Sequence, residues 1–231
     1  VWEKVVLDER VNFPLYYPID TNNISKHRRS LFDVIMKNVK NGAIENIYDD
    51  SYFTTKRTLK DIEASMVLVD TTQLGIEQFN AGEEISKEYI NKTEITAAHV
   101  VEYHIKGLYY FDKRQGELKY RLLGIAPVVP DVNTLSAEEP DLVPLFWVFF
   151  PDAREVLHVA KAFNGKNSAI PLSFDHLLNA RRFNGYIFRE ENVQGDRAIT
   201  EYIHENALMQ LLESDRVKDK IRNFEQDMWS Y

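Results

Sequence analysis

Six histidines are the residues of this chain best suited to acid–base or metal chemistry, but their spacing supports neither use. No two of them follow the H-E-x-x-H spacing, which places two imidazoles on one face of a helix beside a zinc ion. His104 falls in a predicted strand, where an imidazole is more often packed or solvated than a ligand. The full set is His27, His99, His104, His158, His176 and His204. We therefore predict no metal site.

Residues 173–176 read Ser-Phe-Asp-His, the three residue types of a hydrolase triad. Neighbours in sequence do not converge on one point as a triad must, because triad members come from distant segments. Ser173 is better explained as the N-cap of a helix. The sequence has no G-x-S-x-G elbow, no glycine-rich phosphate loop and no cysteine. We predict no catalytic residue and no cofactor.

Charge and composition exclude several classes of partner. The chain has 231 residues, a net charge of −8 and a 44% apolar share, values typical of a globular protein. An acidic chain does not offer the broad basic surface that nucleic acid requires. Its one basic cluster, Lys26–Arg29, is better explained as a solvated approach to a helix. No apolar run approaches the roughly 18 residues of a membrane helix, so we predict no transmembrane segment.

A β-hairpin is the clearest element that the sequence predicts. Its strands are Val101–Phe111 and Leu118–Ala126, and the turn between them contains Gly116. An exposed edge of this hairpin would accept a strand from a partner. We also expect its surface tyrosines, Tyr109 and Tyr110, to take part in an interface.

Further elements follow from caps and periodicity. We expect Pro127–Pro144 to be a long loop and residues 70–95 to hold little regular structure. Strands are predicted at Val1–Leu7, Ile44–Tyr48, Leu145–Phe150 and Tyr186–Phe188. Helices are predicted at Leu31–Lys40 (capped by Ser30), Leu59–Val67 (capped by Thr58), Ala153–Phe163, Phe174–Phe183 (ended by Asn184-Gly185), Ile199–Leu212 and Asp215–Trp229.

The last of these helices carries an apolar stripe at helical spacing, formed by Val217, Ile221, Phe224 and Met228. Such a stripe usually docks within its own chain. The aromatic ending, with Trp229 and Tyr231, favours a protein interface instead, because these residue types are enriched there. Both interpretations stay open, and Phe224, Met228, Trp229 and Tyr231 are interface candidates.

The two ends of the chain share an order of signals, which suggests two related halves, residues 1–70 and 145–212. A duplication explains this order, but Ser caps and Asn-Gly helix ends recur in many chains and explain it equally well. The shared order is Trp2, Ser30, Asn41-Gly42, Ile47-Tyr48 and Arg57 in the first half and Trp147, Ser173, Asn184-Gly185, Ile187-Phe188 and Arg197 in the second. We predict one α+β domain over 1–231, with a mixed sheet, a central hairpin and packed helices.

Five long phrases of the sequence closely resemble the GldN/PorN family of gliding-motility proteins, and the resemblance extends from Trp2 to Tyr231. The phrases are LDERVNFPLYYPID (7–20), YFDKRQGELKYRLLGIAPVVPDVN (110–133), SFDHLLNARRFNG (173–185), ENVQGDR (191–197) and NALMQLLESDRVKD (206–219).

This resemblance implies a periplasmic component of the type IX secretion system of Bacteroidetes. Family members associate with an outer-membrane lipoprotein, GldK or PorK, in a ring-like assembly. They also connect to the periplasmic shaft protein GldM or PorM. Family members begin with a signal peptide and a variable segment, so we expect a trimmed chain. The resemblance brings no catalytic motif with it.

Two functions of different classes remain. A structural adaptor would expose apolar or aromatic patches, associate with itself and bind its partners through them. A periplasmic hydrolase of glycan or peptide would hold a pair of titratable groups in a deep cleft, with Glu102, His104 and the acidic loop 131–141 as its first candidates.

Overall fold

The fold is that of a computed structural model, which describes residues 1–20, 28–81, 87–135, 137–163, 171–204 and 206–229. Its helices are α1 (Phe13–Tyr16), α2 (Leu31–Lys40), α3 (Leu59–Ser65), α4 (Gln73–Asn80), α5 (Phe150–Val159), α6 (Phe174–Asn179), α7 (Ile199–Tyr202) and α8 (Ala207–Trp229). Its strands are β1 (Trp2–Val6), β2 (Ile47–Tyr48), β3 (Val67–Thr71), β4 (Ile90–Glu94), β5 (Glu102–Asp112), β6 (Glu117–Pro130), β7 (Leu142–Pro144), β8 (Trp147–Phe149), β9 (Lys161–Ala162), β10 (Leu172–Ser173) and β11 (Tyr186–Arg189).

The predicted hairpin forms the centre of a seven-stranded sheet, which confirms the α+β class. The strand order is β11-β1-β5-β6-β8-β2, and β7 also pairs with β6. Each of these described pairings is antiparallel, where the prediction had a mixed sheet. The pairs β3-β4 and β9-β10 form two small separate sheets.

The order of the main sheet is symmetric about the hairpin. Beside β5 lies β1, the first strand of the first predicted half, and beyond it β11, the second strand of the second half. Beside β6 lies β8, the first strand of the second half, and beyond it β2, the second strand of the first half. Each outer strand is followed by a segment that folds back to an antiparallel bridge, Tyr48 with Lys56 and Arg189 with Ala198. The duplication itself stays a prediction.

The two faces of the sheet are covered differently. One face, here called the helix face, packs its apolar side chains against residues of α2, α3, α5 and α6 in the main core. The other, the aromatic face, holds a smaller cluster of Trp2, Ala126 and Trp147, with Tyr48, Phe53 and Phe188 around it.

Two predicted helix starts are confirmed by their caps. The Ser30 hydroxyl accepts the N–H of Asp33, and Thr58 and Asp61 form a reciprocal capping box. Gly42 follows the first of these helices at a φ of 73°, which a glycine adopts without strain.

Other boundaries were wrong, and local contacts explain why. Ser173 caps its helix as predicted, but that helix ends at Asn179 rather than Phe183. Arg181 turns the chain at a φ of 49°, directing its guanidinium to Glu3. Asn184 does not end the helix: its N–H and C=O pair with the side chain of Asn12.

The region from 145 to 163 is shifted relative to the prediction. Pro151 occupies the first turn of α5, where its missing N–H costs nothing, so the helix begins at Phe150 and the strand before it is only Trp147–Phe149. The helix ends at Val159, because β9 follows at once, and Phe163 lies outside it. The predicted loop at 127–144 is shorter, since β6 continues to Pro130 and β7 begins at Leu142. Residues 70–95 hold α4, β4 and the end of β3.

The C-terminal region is one long helix preceded by a single turn, not the two helices predicted. Asn206 caps the start of α8, because its side chain accepts the N–H of Met209. Residues 213 and 214, where the sequence predicts a break, are helical, and the Ser214 hydroxyl accepts the N–H of Ile187 in β11. The turn α7 ends at Tyr202, and α8 continues without a break from Ala207 to Trp229.

Candidate protein-interaction surface

One side of α8 covers the outer edge of the sheet. The Ser214 hydroxyl accepts the N–H of Ile187 in the edge strand β11 at 2.8 Å, and the Lys218 ammonium donates to the carbonyl of Gly185 at 2.9 Å. Val217 on the same side is only 4% exposed. A covered edge does not offer its backbone to other chains. This side of α8 is therefore occupied by contacts within the chain and is not a surface for a partner.

In the first turns of α8, the opposite side of the helix is apolar and open to solvent. Leu208 is 68% exposed and Leu212 is 53% exposed. At about 100° per residue, Leu208 lies on the side of the helix opposite Val217, with Leu212 one turn further along. We call the helix surface the set of exposed apolar side chains in the first turns of α8: Leu208, Met209, Leu211 and Leu212.

A contiguous exposed apolar surface of this kind marks a binding site more often than single exposed side chains do. Sequence reasoning missed these residues because it placed them at the end of one helix, before a break at residues 213 and 214. The signal was present in the run Ala207–Leu212, which has five apolar residues in six.

A second opening, of about 450 Å³, lies between α8 and the outer part of the hairpin, and Tyr109, Tyr110 and Phe224 all line it. We call this opening the arm groove, because the outer part of the hairpin forms one of its walls. The hairpin and the helix also touch directly, since the N–H of Leu118 donates to Glu225 Oε1 at 3.4 Å. The structure thus brings three of the predicted interface residues to one site.

The predicted apolar stripe of α8 is partly packed within the chain and partly exposed, so it fits both interpretations that the sequence left open, internal docking and a protein interface. Val217 is buried, Ile221 and Met228 are half-buried, and Phe224 is 51% exposed in the arm groove. Trp229 is the last residue of α8, and its side chain lies outside the described part. Tyr231 and residues 26–27 of the basic cluster also lie outside the described residues.

The base of the hairpin is held by a buried ion pair. Arg181 donates to both carboxylate oxygens of the fully buried Glu3, at 3.0 and 2.7 Å. The guanidinium also lies 4.2 Å from the ring centre of Tyr120. Gly107 is required beneath that ring, because a Cβ there would lie 2.2 Å from the Tyr120 hydroxyl oxygen. Arg181 therefore joins β1 to strand β6 of the hairpin.

The hydrolase candidates Glu102 and His104 do meet, on the aromatic face. Glu102 Oε1 lies 2.8 Å from His104 Nε2 and 3.4 Å from the Lys4 ammonium. Burial alone would raise the pKa of Glu102, but the hydrogen bond from His104 and the charge of Lys4 hold it below its ordinary value. A carboxylate kept ionised in this way is suited to an ion pair rather than to proton donation.

A groove of about 580 Å³ beside α8 reaches Lys4 but neither Glu102 nor His104. This groove therefore does not give Glu102 and His104 the deep cleft that a hydrolase site would need. Two loops meet over Trp2 on the aromatic face, where the Tyr52 hydroxyl donates to Asp196 at 2.6 Å. The Lys106 ammonium lies under them, 4.4 Å from the ring centre of Tyr52, and burial lowers its pKa.

The described ranges contain no group of three or more histidine, cysteine or acidic side chains placed to hold a metal ion. None of the helices in the same ranges combines the length and apolarity needed to cross a membrane. The exposed apolar helix surface and the arm groove remain as the candidate sites.

Comparison with known proteins identifies the family of the chain. No curated protein sequence matches the chain. The model of the family described as gliding motility associated protein GldN matches it over residues 1–230, essentially its whole length. The chain belongs to the GldN family of gliding motility associated proteins.

Proposed function

We propose that this protein is a non-catalytic, periplasmic adaptor of the type IX secretion and gliding machinery, which works by binding other proteins. Membership of the GldN family supports a role in gliding motility. The helix surface is the single observation that carries the adaptor role. Its four side chains are between 46% and 68% exposed, and partner binding would remove this apolar area from water.

The proposed partners follow from the family. We propose that the helix surface binds the outer-membrane lipoprotein of the GldK or PorK type, that the two proteins build a ring-like assembly with self-association of this chain, and that the shaft protein of the GldM or PorM type binds elsewhere. A stable interface covers about 800 Å² on each partner. Four large apolar side chains of α8 would form the centre of such an area, where hot-spot residues concentrate.

The proposal is tested by measuring the mass of the purified chain alone and mixed with the lipoprotein, by native mass spectrometry or light scattering. We expect a mixed complex larger than either component. A mixture that shows only the masses of the two separate proteins, at concentrations of about 10 µM, would contradict the proposal.

A matched pair of variants locates the binding surface. Leu212→Glu places a charge on the helix surface, whereas Val193→Glu places the same charge on a fully exposed valine in the loop after β11, outside the helix surface. We expect the first to weaken the complex and the second to leave it unchanged. Equal effects of the two variants would assign the loss to added charge rather than to the helix surface.

A further inference from the structure

A groove of about 600 Å³ lies between the helices α2 and α5. Val34 of α2 and Val156 and Val159 of α5 form the apolar part of its wall. Val159 is 77% exposed, and an apolar side chain this open to water gains free energy when another surface covers it. We call this opening the basic groove, because of the charges that line it.

The charges of the basic groove are mainly positive, on a chain whose net charge is −8. Its wall carries Arg29, Lys37 and Lys161 against one carboxylate, that of Glu155. Arg29 is paired with Asp33 at 3.2 Å. By contrast, Lys37 is exposed, and the Lys161 ammonium donates to a backbone carbonyl at 3.2 Å. Two lysines are therefore available to an incoming negative charge.

The surroundings of the groove add further positive charge. Arg28 forms a backbone bridge with Lys161, and its guanidinium lies 4.5 Å from the ring centre of Phe163. In the sequence, the neighbouring stretches 21–27 and 164–170 contain two lysines and no aspartate or glutamate. A bound segment would therefore have to be acidic to complement this part of the molecule.

The same chain carries an exposed segment of the opposite charge. We call residues 137–142, just before and at the start of β7, the loop tip. Its exposed acidic residues are Glu138, Glu139 and Asp141. Leu142 beside them is 45% exposed, and the sequence from 127 to 144 contains no lysine or arginine. The loop tip thus combines negative charge with one open apolar side chain, as the basic groove combines positive charge with Val159.

Hydrogen bonds within the loop hold the tip in shape. The backbone carbonyl of Thr134 accepts the N–H of Ala137 at 2.9 Å, and the Thr134 hydroxyl accepts the N–H of Asp141 at 3.1 Å. The N–H of Asp131 donates to the carbonyl of Asp141 at 2.7 Å, where the loop meets β7. A segment that is ordered before it binds loses less conformational entropy on binding.

The basic groove and the loop tip lie on different parts of the fold. Residues 131–133, at the base of the loop, share an opening with Ser65 of α3 and Val67 of β3, and this opening has no lining residue in common with the basic groove. A contact between the groove of one copy and the tip of another is therefore heterologous. Contacts of this type close into a ring or continue as a filament.

We propose that the basic groove of one copy of this chain binds the loop tip of a second copy, with the tip carboxylates against Lys37 and Lys161 and Leu142 on Val159. This inference rests on the self-association in the proposed function and assigns it two surfaces, neither of which is the helix surface. Opposite charges select the pairing and its orientation.

Mixing two variants tests the proposal by light scattering. The groove variant, Lys37→Glu with Lys161→Glu, keeps its tip, and the tip variant, Glu138→Gln with Glu139→Gln, keeps its groove. At about 100 µM, we expect the wild type to form dimers and larger species, each variant alone to be monomeric, and their equimolar mixture to form a complex of two chains and nothing larger. A monomeric wild type, or a mixture as monomeric as its components, would overturn the proposal.

A matched control separates the site from the added charge. Lys113→Glu with Arg114→Glu makes the same change of charge as the groove variant, at two exposed residues of the hairpin turn. We expect this control to associate as the wild type does, whereas the groove variant associates at least about tenfold more weakly. Equal losses in the two proteins would contradict a contact at the basic groove.

The outcome is distinguishable from a failure of the proposed function. The groove and tip variants leave the helix surface intact, so both should still bind the lipoprotein, and Leu212→Glu should still associate with itself. If both variants associate with themselves as the wild type does while the lipoprotein complex forms, this inference fails and the proposed adaptor role stands.

Discussion

Both sides of α8 carry apolar residues, which lie in opposite environments. Val217 packs against the sheet and Ser214 completes the hydrogen bonding of β11, whereas Leu208 and Leu212 lie in water on the other side. Apolar residues in one helix therefore divide into those that the fold buries and those that it leaves exposed. Packing within the chain does not explain the exposed leucines. We therefore expect a partner protein to cover them.

The first prediction concerns the buried side, where the effect on stability should be largest. Val217→Glu places a charge without a partner in the contact between α8 and the sheet, and we expect a loss of about 3 kcal/mol or more in the free energy of unfolding. Urea unfolding measures it. Leu212→Glu, on the other side of the same helix, is the matched control. Equal losses of unfolding free energy in the two variants would contradict the difference between the buried and the exposed side of α8.

The second prediction concerns the hydroxyl that satisfies the edge strand. Ser214→Ala leaves the buried N–H of Ile187 without its acceptor, and we expect a loss of about 2 kcal/mol in the free energy of unfolding. Amide exchange of Ile187 should quicken as well. Asn223→Ala, at an exposed position of α8, should change little, and an equally small change for Ser214→Ala would show that α8 does not hold this edge.

The third prediction uses pH to weaken the fold without altering any leucine. Because the pKa of Glu102 is lowered in the folded chain, its contribution to stability is present above its ordinary value of 4.5 and is lost as the pH falls through the folded-state pKa. We expect acid to destabilise the wild type more than Glu102→Gln between about pH 5 and pH 3. If the urea midpoints of the two proteins fall by the same amount across this pH range, the ion-pair role of Glu102 is contradicted.

The fourth prediction concerns the exposed side, where the effect on stability should be smallest. The double variant Leu208→Glu with Leu212→Glu should unfold within about 0.5 kcal/mol of the wild type, because neither side chain is buried. Urea unfolding of the two proteins under the same conditions measures the difference. A large loss would show that these leucines are part of the core.

Local signals in the sequence were sufficient for elements whose ends are fixed locally. The hairpin has a strand-rich pattern and a glycine turn, and the caps at Ser30, Thr58 and Ser173 bond within their own helices. Such contacts can be read from a few neighbouring residues. Family resemblance was likewise visible in the sequence and is confirmed.

Elements whose ends depend on distant residues were not predictable in this way. The sequence predicts a break between Leu212 and Asp215, but α8 is continuous there and Ser214 bonds to Ile187 in another element. Arg181 ends α6 early because its guanidinium pairs with Glu3, far along the chain. The candidate sites depend on the same long-range packing, since only the docking of α8 decides which of its leucines are exposed and where Phe224 meets Tyr109 and Tyr110.

The central claim is that the exposed side of α8 binds a protein partner and has no role in folding. The most direct test measures the affinity of the lipoprotein for the wild type and for the double variant Leu208→Glu with Leu212→Glu, by titration calorimetry. We predict a loss of at least about tenfold in affinity at nearly unchanged stability, since buried hot-spot side chains cost more than about 1 kcal/mol each. An affinity equal to that of the wild type would contradict the claim.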